Sequence, residues 1–353
     1  MKVEDVASLK QEARSMKLVY TTDSKPGYTR KKRGKHFQFF DTEGKRIADK
    51  EQIARIRSLA LPPAWVNVWI SPIPNGHLQA TGVDTAGRKQ YKYHTQWSLK
   101  RNERKHNRMA EFAAALPQLR EKINTDLQEK EFTKEKVVAL AIAVMDKTLI
   151  RVGNSSYTKL YGSYGLTSLR NRHISILGSK MVIAFKGKKG VFQEIKVTHA
   201  RLAHILQKLK DIPGQELFQY YDTDGNKKSL DSGDVNEYLV ACTGKDFTAK
   251  DFRTWWGTVT AATYLASETN PSDAPLKKNI LETLDFVAKK LGNTRSVCKK
   301  YYVHPKLLSD YEEGKFEKYL VQLREAKGHN GATVEMEEKI IADFIIKECA
   351  NTN

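Results

Sequence analysis

Over the first hundred residues the apolar positions recur at short range. Segments 36–40, 65–70 and 90–94 are rich in aromatic and β-branched residues. They are bounded by turn signals such as Asp41-Thr42-Glu43-Gly44 and Pro74-Asn75-Gly76, which predicts strands. One helix over 50–59 interrupts them and is stopped by Pro62-Pro63. From about residue 98 the spacing lengthens to the helical period, predicting helices over 108–116, 119–128 and 134–151. The last is apolar on all sides at its centre (Val138, Leu140, Ala141, Ile142, Val144, Met145), so it should be a buried core helix with Gly153 marking its end.

A β island follows. Segments 167–176 and 181–185 flank the turn Leu177-Gly178-Ser179-Lys180. Segment 191–197 returns after Gly187-Lys188-Lys189-Gly190, which predicts three antiparallel strands. Helices resume over 199–209, 234–242, 249–265, 276–290, 305–309 and 334–349. The fold class is therefore α+β. A small β-rich N-terminal domain over 1–98 precedes a larger, mainly helical domain over 99–353 that carries one three-stranded antiparallel sheet.

Charge adds a partner class. The 353 residues hold 60 Lys and Arg against 41 Asp and Glu, a formal charge of +19 that attracts polyanions. The basic residues cluster. Arg30, Lys31, Lys32, Arg33 and Lys35 are nearly contiguous. Arg88, Lys89, Lys92, Lys100, Arg101, Arg104, Lys105 and Arg108 are interleaved with Tyr91, Tyr93, His94 and Trp97. Cations neutralise phosphates while aromatic and amide groups reach sugars and bases, so this mixture reads as a nucleic-acid surface. A solvated basic face is the plainer alternative.

Several functions lack support. The longest wholly apolar run, 137–145, is nine residues, against the ~20 that span a bilayer. The first residues lack a secretory apolar stretch. Cys242, Cys298 and Cys349 are too far apart for a disulfide framework or zinc knuckle, which suits a reducing cytosol and a cytoplasmic location; with a nucleic-acid surface, the expectation is a nucleoid-associated one. No phosphate-binding loop or dinucleotide fingerprint occurs. Asp222-Thr223-Asp224-Gly225-Asn226 imitates the start of a calcium loop, but Gly233 stands where the bidentate Glu is required, so it reads as a polar turn. His199 and His204 are five apart and read as flanking a helix start.

Metal-free phosphodiester chemistry needs a nucleophile, cations on the non-bridging oxygens and an acid for the leaving oxygen. A tyrosyl phosphodiester is about as energetic as the bond it replaces, so resealing needs no ATP. Guanidinium binds phosphate bidentately and keeps its charge. Arg151-Val152-Gly153-Asn154, Phe185-Lys186-Gly187-Lys188, Lys250-Asp251-Phe252-Arg253-Thr254, and Leu291-Gly292-Asn293-Thr294 leading to Tyr301-Tyr302-Val303-His304-Pro305 occur in that order. They resemble the active-site segments of type IB DNA topoisomerases, in the compact poxvirus-like form found in bacteria. Leu61-Pro62-Pro63-Ala64-Trp65 and Gly87-Arg88-Lys89-Gln90-Tyr91-Lys92-Tyr93-His94 resemble that family's clamp module, and Ser232-Gly233-Asp234-Val235-Asn236 extends the likeness, which spans roughly residues 27–310.

The resemblance implies that Tyr302 attacks phosphorus and forms a 3′-phosphotyrosyl link, releasing a 5′-hydroxyl strand that swivels and is resealed. Arg151 and Arg253 would grip the scissile phosphate, Lys188 would protonate the 5′-oxygen and Asn293 would hydrogen-bond a non-bridging oxygen. Arg88, Gln90, Tyr91, Tyr93 and Tyr157 would contact DNA. It implies the tyrosine recombinase/topoisomerase IB catalytic fold, a double-stranded DNA partner, no cofactor or metal, no obligate protein partner, and a monomer closing as a clamp. Asn293 departs from the His of viral and eukaryotic nuclear members. An amide still donates a hydrogen bond but carries no proton, which excludes a general-base role there.

Singly, these residues have ordinary readings. Arg151 can complement a helix dipole, Lys188 can be a solvated hairpin lysine, Arg253 can pack on the indole of Trp255 or Trp256, and Tyr302 can be a core aromatic. Tyr91 and Tyr93 share a strand face and can both be core. Two other functions compete. A tyrosine recombinase or integrase usually shows His where Lys250 stands and His or Trp where Asn293 stands. A non-catalytic architectural DNA-binding protein needs only the charge.

Overall fold

The computed structural model describes residues 6–34, 36–85, 87–154, 158, 160–268, 276–328 and 334–349. The chain divides into two compact units, residues 1–105 and 106–353.

The first unit is built on a five-stranded antiparallel sheet. Its spatial order is His36–Phe40, Tyr28–Arg33, Val66–Ile70, Leu78–Val83, Lys89–Tyr93. Phe39, Ile47, Ile56, Val68, Ile70 and Ala80 form its core, with Ile56 supplied by the Lys50–Ser58 helix. Asp49 caps that helix by accepting from the Glu51 amide. The strands at 28–33 and 78–83 and a helix at Val6–Ser15 were not among the expected elements. Basic side chains masked the first strand as a charge cluster. Arg30 in it is structural: its guanidinium donates to the carbonyls of Leu61 and Trp65, at 3.1 Å each, and lies 4.2 Å from the Phe37 ring centroid. Leu78–Val83 lacks alternation because its polar members are buried and satisfied. Thr81 donates to Asp23 at 2.8 Å, and Gln79 donates to the carbonyls of Pro74 and Gly76.

The second unit has one continuous core around the Lys134–Thr148 helix, whose Val137–Ile142 stretch is at most 1% exposed. The three-stranded sheet is Ile174–Leu177, Lys180–Lys186, Phe192–Thr198, antiparallel throughout. The polar turn at 222–226 joins strands Gln219–Tyr221 and Lys227–Ser229, with Asp222 Oδ1 accepting from the amides of Asp224 and Asn226. His199 caps the Ala200–Leu209 helix.

Three expectations are corrected. The segment 167–173 is not strand; Leu166–Ser168 and Asn171–His173 are three-residue helical turns, which bury Leu166 and Leu169. The helices expected over 108–116 and 119–128 are one helix, Thr95–Asp126, running through Pro117. A mid-helix proline costs ~3 kcal/mol, and burial of Phe112, Leu116, Leu119 and Ile123 on both sides offsets it. The 134–151 helix stops at Thr148, because Leu149 turns left-handed (φ 57°) and its amide bonds back to Met145 O. Arg151 therefore lies beyond the helix, in a segment without regular secondary structure. Helices at Arg295–Tyr301 and Glu317–Gly328 were also not anticipated; the first is too short for periodicity to show.

Candidate active site

Two helix C-termini converge on two arginines. The Leu276–Leu291 helix ends in a left-handed Gly292, with Gly292 N bonded to Lys289 O and Asn293 N to Ala288 O, the Schellman pattern. Its terminal carbonyls then point at cations. Arg151 Nη2 donates to Gly292 O at 2.9 Å and to Asn293 Oδ1 at 2.8 Å. Arg253 Nη2 donates to Leu291 O at 2.7 Å, and its Nη1 donates to Leu149 O, the carbonyl exposed by the early end of the Lys134–Thr148 helix. Carbonyls at helix C-termini carry partial negative charge, which favours cations there. Arg151 thus sits on a different helix end from the one preceding it, and Arg253 takes that one.

Burial lowers the proton affinity of Arg151, and pushes Arg253 down to about 10, with the adjacent Arg151 cation adding to the effect. Arg253 is 5% exposed, and its Nε has no hydrogen-bond partner among the described residues. Its guanidinium carbon lies 5.4 Å from the Tyr302 ring centroid. The aromatic partner of Arg253 is therefore Tyr302, not an indole. Trp255 and Trp256 point elsewhere, donating to Glu338 and Asp146, the two carboxylates bridged by Arg120. That network fixes the Ala249–Glu268 helix, and with it Arg253, against the Lys134–Thr148 helix.

Tyr302 occupies the cap position after the Arg295–Tyr301 helix, with its amide bonded to Cys298 O at 2.9 Å. Next to it, Val303 is buried and His304 caps the Pro305–Glu312 helix, with Pro305 in its first turn. The motif is thus a helix–cap–helix joint that pins the half-buried tyrosine. Two residues not singled out from sequence complete the joint. A Cβ on Gly257 would lie 2.5 Å from Tyr302 O, so only glycine lets the two backbones approach. The neighbouring Thr258 Oγ1 donates to Tyr302 O at 3.3 Å and accepts from His304 N at 3.0 Å.

Arg151, Arg253, Asn293 and Tyr302 are thus brought together. Lys188 stands on the exposed tip between strands Lys180–Lys186 and Phe192–Thr198. Its hairpin is anchored to the segment after Arg151: Tyr164 N donates to Lys186 O, while the amides of Leu166 and Thr167 bond to the carbonyls of Arg151 and Val152.

Comparison with known proteins decides the family. Residues 88–330 match the catalytic core of eukaryotic DNA topoisomerase I, and residues 36–84 match the N-terminal domain of bacterial DNA topoisomerase IB. DNA topoisomerase 1B of Acanthamoeba polyphaga mimivirus is 32% identical over 294 residues, covering 81% of this chain and 88% of that protein. The chain belongs to the type IB DNA topoisomerases. DNA topoisomerase 1B of Vaccinia virus (strain Copenhagen) is 28% identical over 241 residues, 67% of this chain and 73% of its own. A crystal structure of the XerH site-specific recombinase bound to palindromic difH substrate aligns with 57% of this chain and 50% of its own, at 16% identity and a TM-score of 0.37. The family match sets aside the recombinase and architectural readings.

The remaining type IB candidates, apart from Tyr157, lie in the first unit. Tyr91 and Tyr93 are not core: they are 49% and 40% exposed and stack on each other at 6.1 Å. Arg88 and Gln90 both donate to Asp84 Oδ2, at 2.8 and 2.9 Å, so Asp84 aligns the two side chains; sequence reading missed this acid. Lys89 pairs with Asp23 at 2.6 Å, and this hydrogen-bonded pairing raises the lysine pKa. Some cations in the basic cluster serve the fold. Arg104 pairs with Glu12, and Arg108 pairs with Asp246 and stacks on Phe247. Tyr157 and Lys35 lie outside the described residues.

Proposed function

We propose that this type IB topoisomerase relaxes duplex DNA with Tyr302 as the nucleophile. Tyr302 Oη gives up its proton to solvent and forms a bond to phosphorus as the bond from phosphorus to the 5′-oxygen breaks. The Lys188 ammonium transfers its proton to that oxygen. Religation is the same step reversed, and needs neither ATP nor metal. Arg151 and Arg253 hold the non-bridging oxygens, and Asn293 adds one amide hydrogen bond. The observation that carries this reading is the pair of arginines anchored on carbonyls beside the Tyr302 ring. Burial and mutual repulsion raise the cost of both cations, and a phosphate bound between them relieves it.

Arg88, Gln90, Tyr91, Tyr93 and Tyr157 contact the DNA, and the first unit serves as a clamp on a monomeric enzyme. The exposed, stacked tyrosines and the Asp84-aligned pair support that role. The test is denaturant trapping of the covalent complex on duplex DNA. Tyr302→Phe binds DNA and yields no trapped complex, while Tyr301→Phe yields it normally. The opposite result moves the nucleophile to Tyr301.

A further inference from the structure

A proton donor on the tip of an exposed hairpin works only if that tip is held in register with the phosphate-binding groups, since a misplacement of about 1 Å can cost about a hundredfold in rate. One side chain on the hairpin is seated to do this. Along Phe192–Thr198, exposed and half-buried residues alternate. Gln193 shares the inward row with Ile195 and Val197, both packed against the core. It is the polar member of that row.

The Gln193 seat is made by two glycines from separate parts of the site. A Cβ on Gly187 would lie 3.2 Å from Gln193 Cγ. A Cβ on Gly292 would lie 3.2 Å from Gln193 Oε1 and 3.4 Å from its Nε2. Gly187 immediately precedes Lys188. Gly292 immediately precedes Asn293, and its carbonyl holds Arg151 at 2.9 Å. The Gln193 side chain therefore lies close beside both the residue before the hairpin lysine and the turn that precedes Asn293, while its Nε2 donates to the adjacent Phe192 O at 3.3 Å. An uncharged amide suits the place: a cation there would be repelled by Arg151 and Arg253, and a carboxylate would compete with the phosphate for them.

We infer that Gln193 is a positioning residue that docks the Lys188 hairpin onto the Gly292–Asn293 turn, acting on expulsion of the 5′-oxygen without touching DNA phosphate. This rests on the proposed role of Lys188 as proton donor and names what places it. The second tether, Tyr164 N to Lys186 O at 2.8 Å, is backbone only and survives any side-chain change at 193.

The experiment uses the full chain in single-turnover cleavage of one duplex, carrying either the ordinary 5′-bridging oxygen or a 5′-bridging sulfur at the scissile bond. A thiolate leaves without a proton, since thiols have pKa values near 8.5. Gln193→Ala is expected to slow cleavage of the oxygen duplex by about tenfold to a hundredfold and to cleave the sulfur duplex at near the parent rate. Added to Lys188→Ala, it should slow the oxygen reaction no further. Gln193→Met, which keeps the length of the side chain and loses the amide, serves as the second variant, with melting temperature as the check on folding. Equal slowing on both duplexes, no slowing, or a multiplicative double variant overturns the role of Gln193 alone, provided Lys188→Ala itself is rescued by sulfur. A Lys188→Ala enzyme that gains nothing from sulfur overturns the proton-donor reading beneath it.

Discussion

Arg151 Nη2 donates to Asn293 Oδ1 at 2.8 Å, so the guanidinium orients the Asn293 amide. With its oxygen held by Arg151, Asn293 gives one Nδ2 hydrogen to Leu291 O at 3.2 Å and keeps a second amide hydrogen to donate. The oxygen can accept from arginine while the nitrogen serves a phosphate.

Asn293→Asp keeps the acceptor for Arg151 and removes the donors, placing an anion where the phosphate must sit. Cleavage is expected to fall by about a hundredfold or more, whereas Asn293→His, which retains a donor, is expected to remain active. Single-turnover cleavage rates decide this. An active aspartate variant would remove Asn293 from the phosphate site.

The joint around Tyr302 is tested at Gly257 and Thr258. Gly257→Ala drives a methyl group into the Tyr302 carbonyl and should reduce covalent-complex formation with DNA affinity retained. Thr258→Val leaves the buried His304 amide without its acceptor, at a cost of about 1–3 kcal/mol in thermal stability, and should slow cleavage too. Thr258→Ser keeps the hydroxyl and should restore both. A valine variant as stable and as fast as the parent would overturn the role of the hydroxyl.

Cys298 lies fully buried beneath the two arginines, and burial pushes its thiol up to about 11. At pH 8 about one thiol in a thousand is then ionised, and the thiolate is the reactive form. Alkylation at pH 8, read by peptide mass, should spare Cys298 in the native protein and modify it after denaturation. Rapid native labelling would show that the base of the site opens.

Arg88 is proposed to neutralise one phosphate. Replacing it with Gln should weaken DNA binding and make the slope of log affinity against log salt less steep by about 0.9. Asp84→Asn should leave that slope near the parent value, because Asp84 only aligns Arg88 and Gln90. An unchanged slope in the Arg88 variant would remove this residue from the DNA contacts.

Local chemistry made much of this protein readable in its sequence. The strand at 36–40, the two hairpin turns of the three-stranded sheet and the all-apolar core helix follow from period, turn residues and side-chain type, which act within a few positions of the chain. The identities of Tyr302, Arg151, Arg253, Asn293 and Lys188 as candidates were likewise legible, because the segments around them carry the family pattern in order.

Tertiary structure alone decided what each of those residues rests on. The Pro117 helix persists because both its halves bury apolar side chains, a gain no local propensity contains. The strand at 78–83 hides its identity because polar residues inside it are paired with Asp23 and with loop carbonyls. The early end of the Lys134–Thr148 helix frees Leu149 O, which a guanidinium 104 residues later then occupies. Gly257, Thr258 and Gln193 carry no signal along the chain, since their importance lies in what approaches them from distant segments. Sequence order states which groups are present; the meeting of two helix ends at Leu149 and Leu291 states where their charges are held, because a carbonyl dipole anchors a cation only at hydrogen-bond distance.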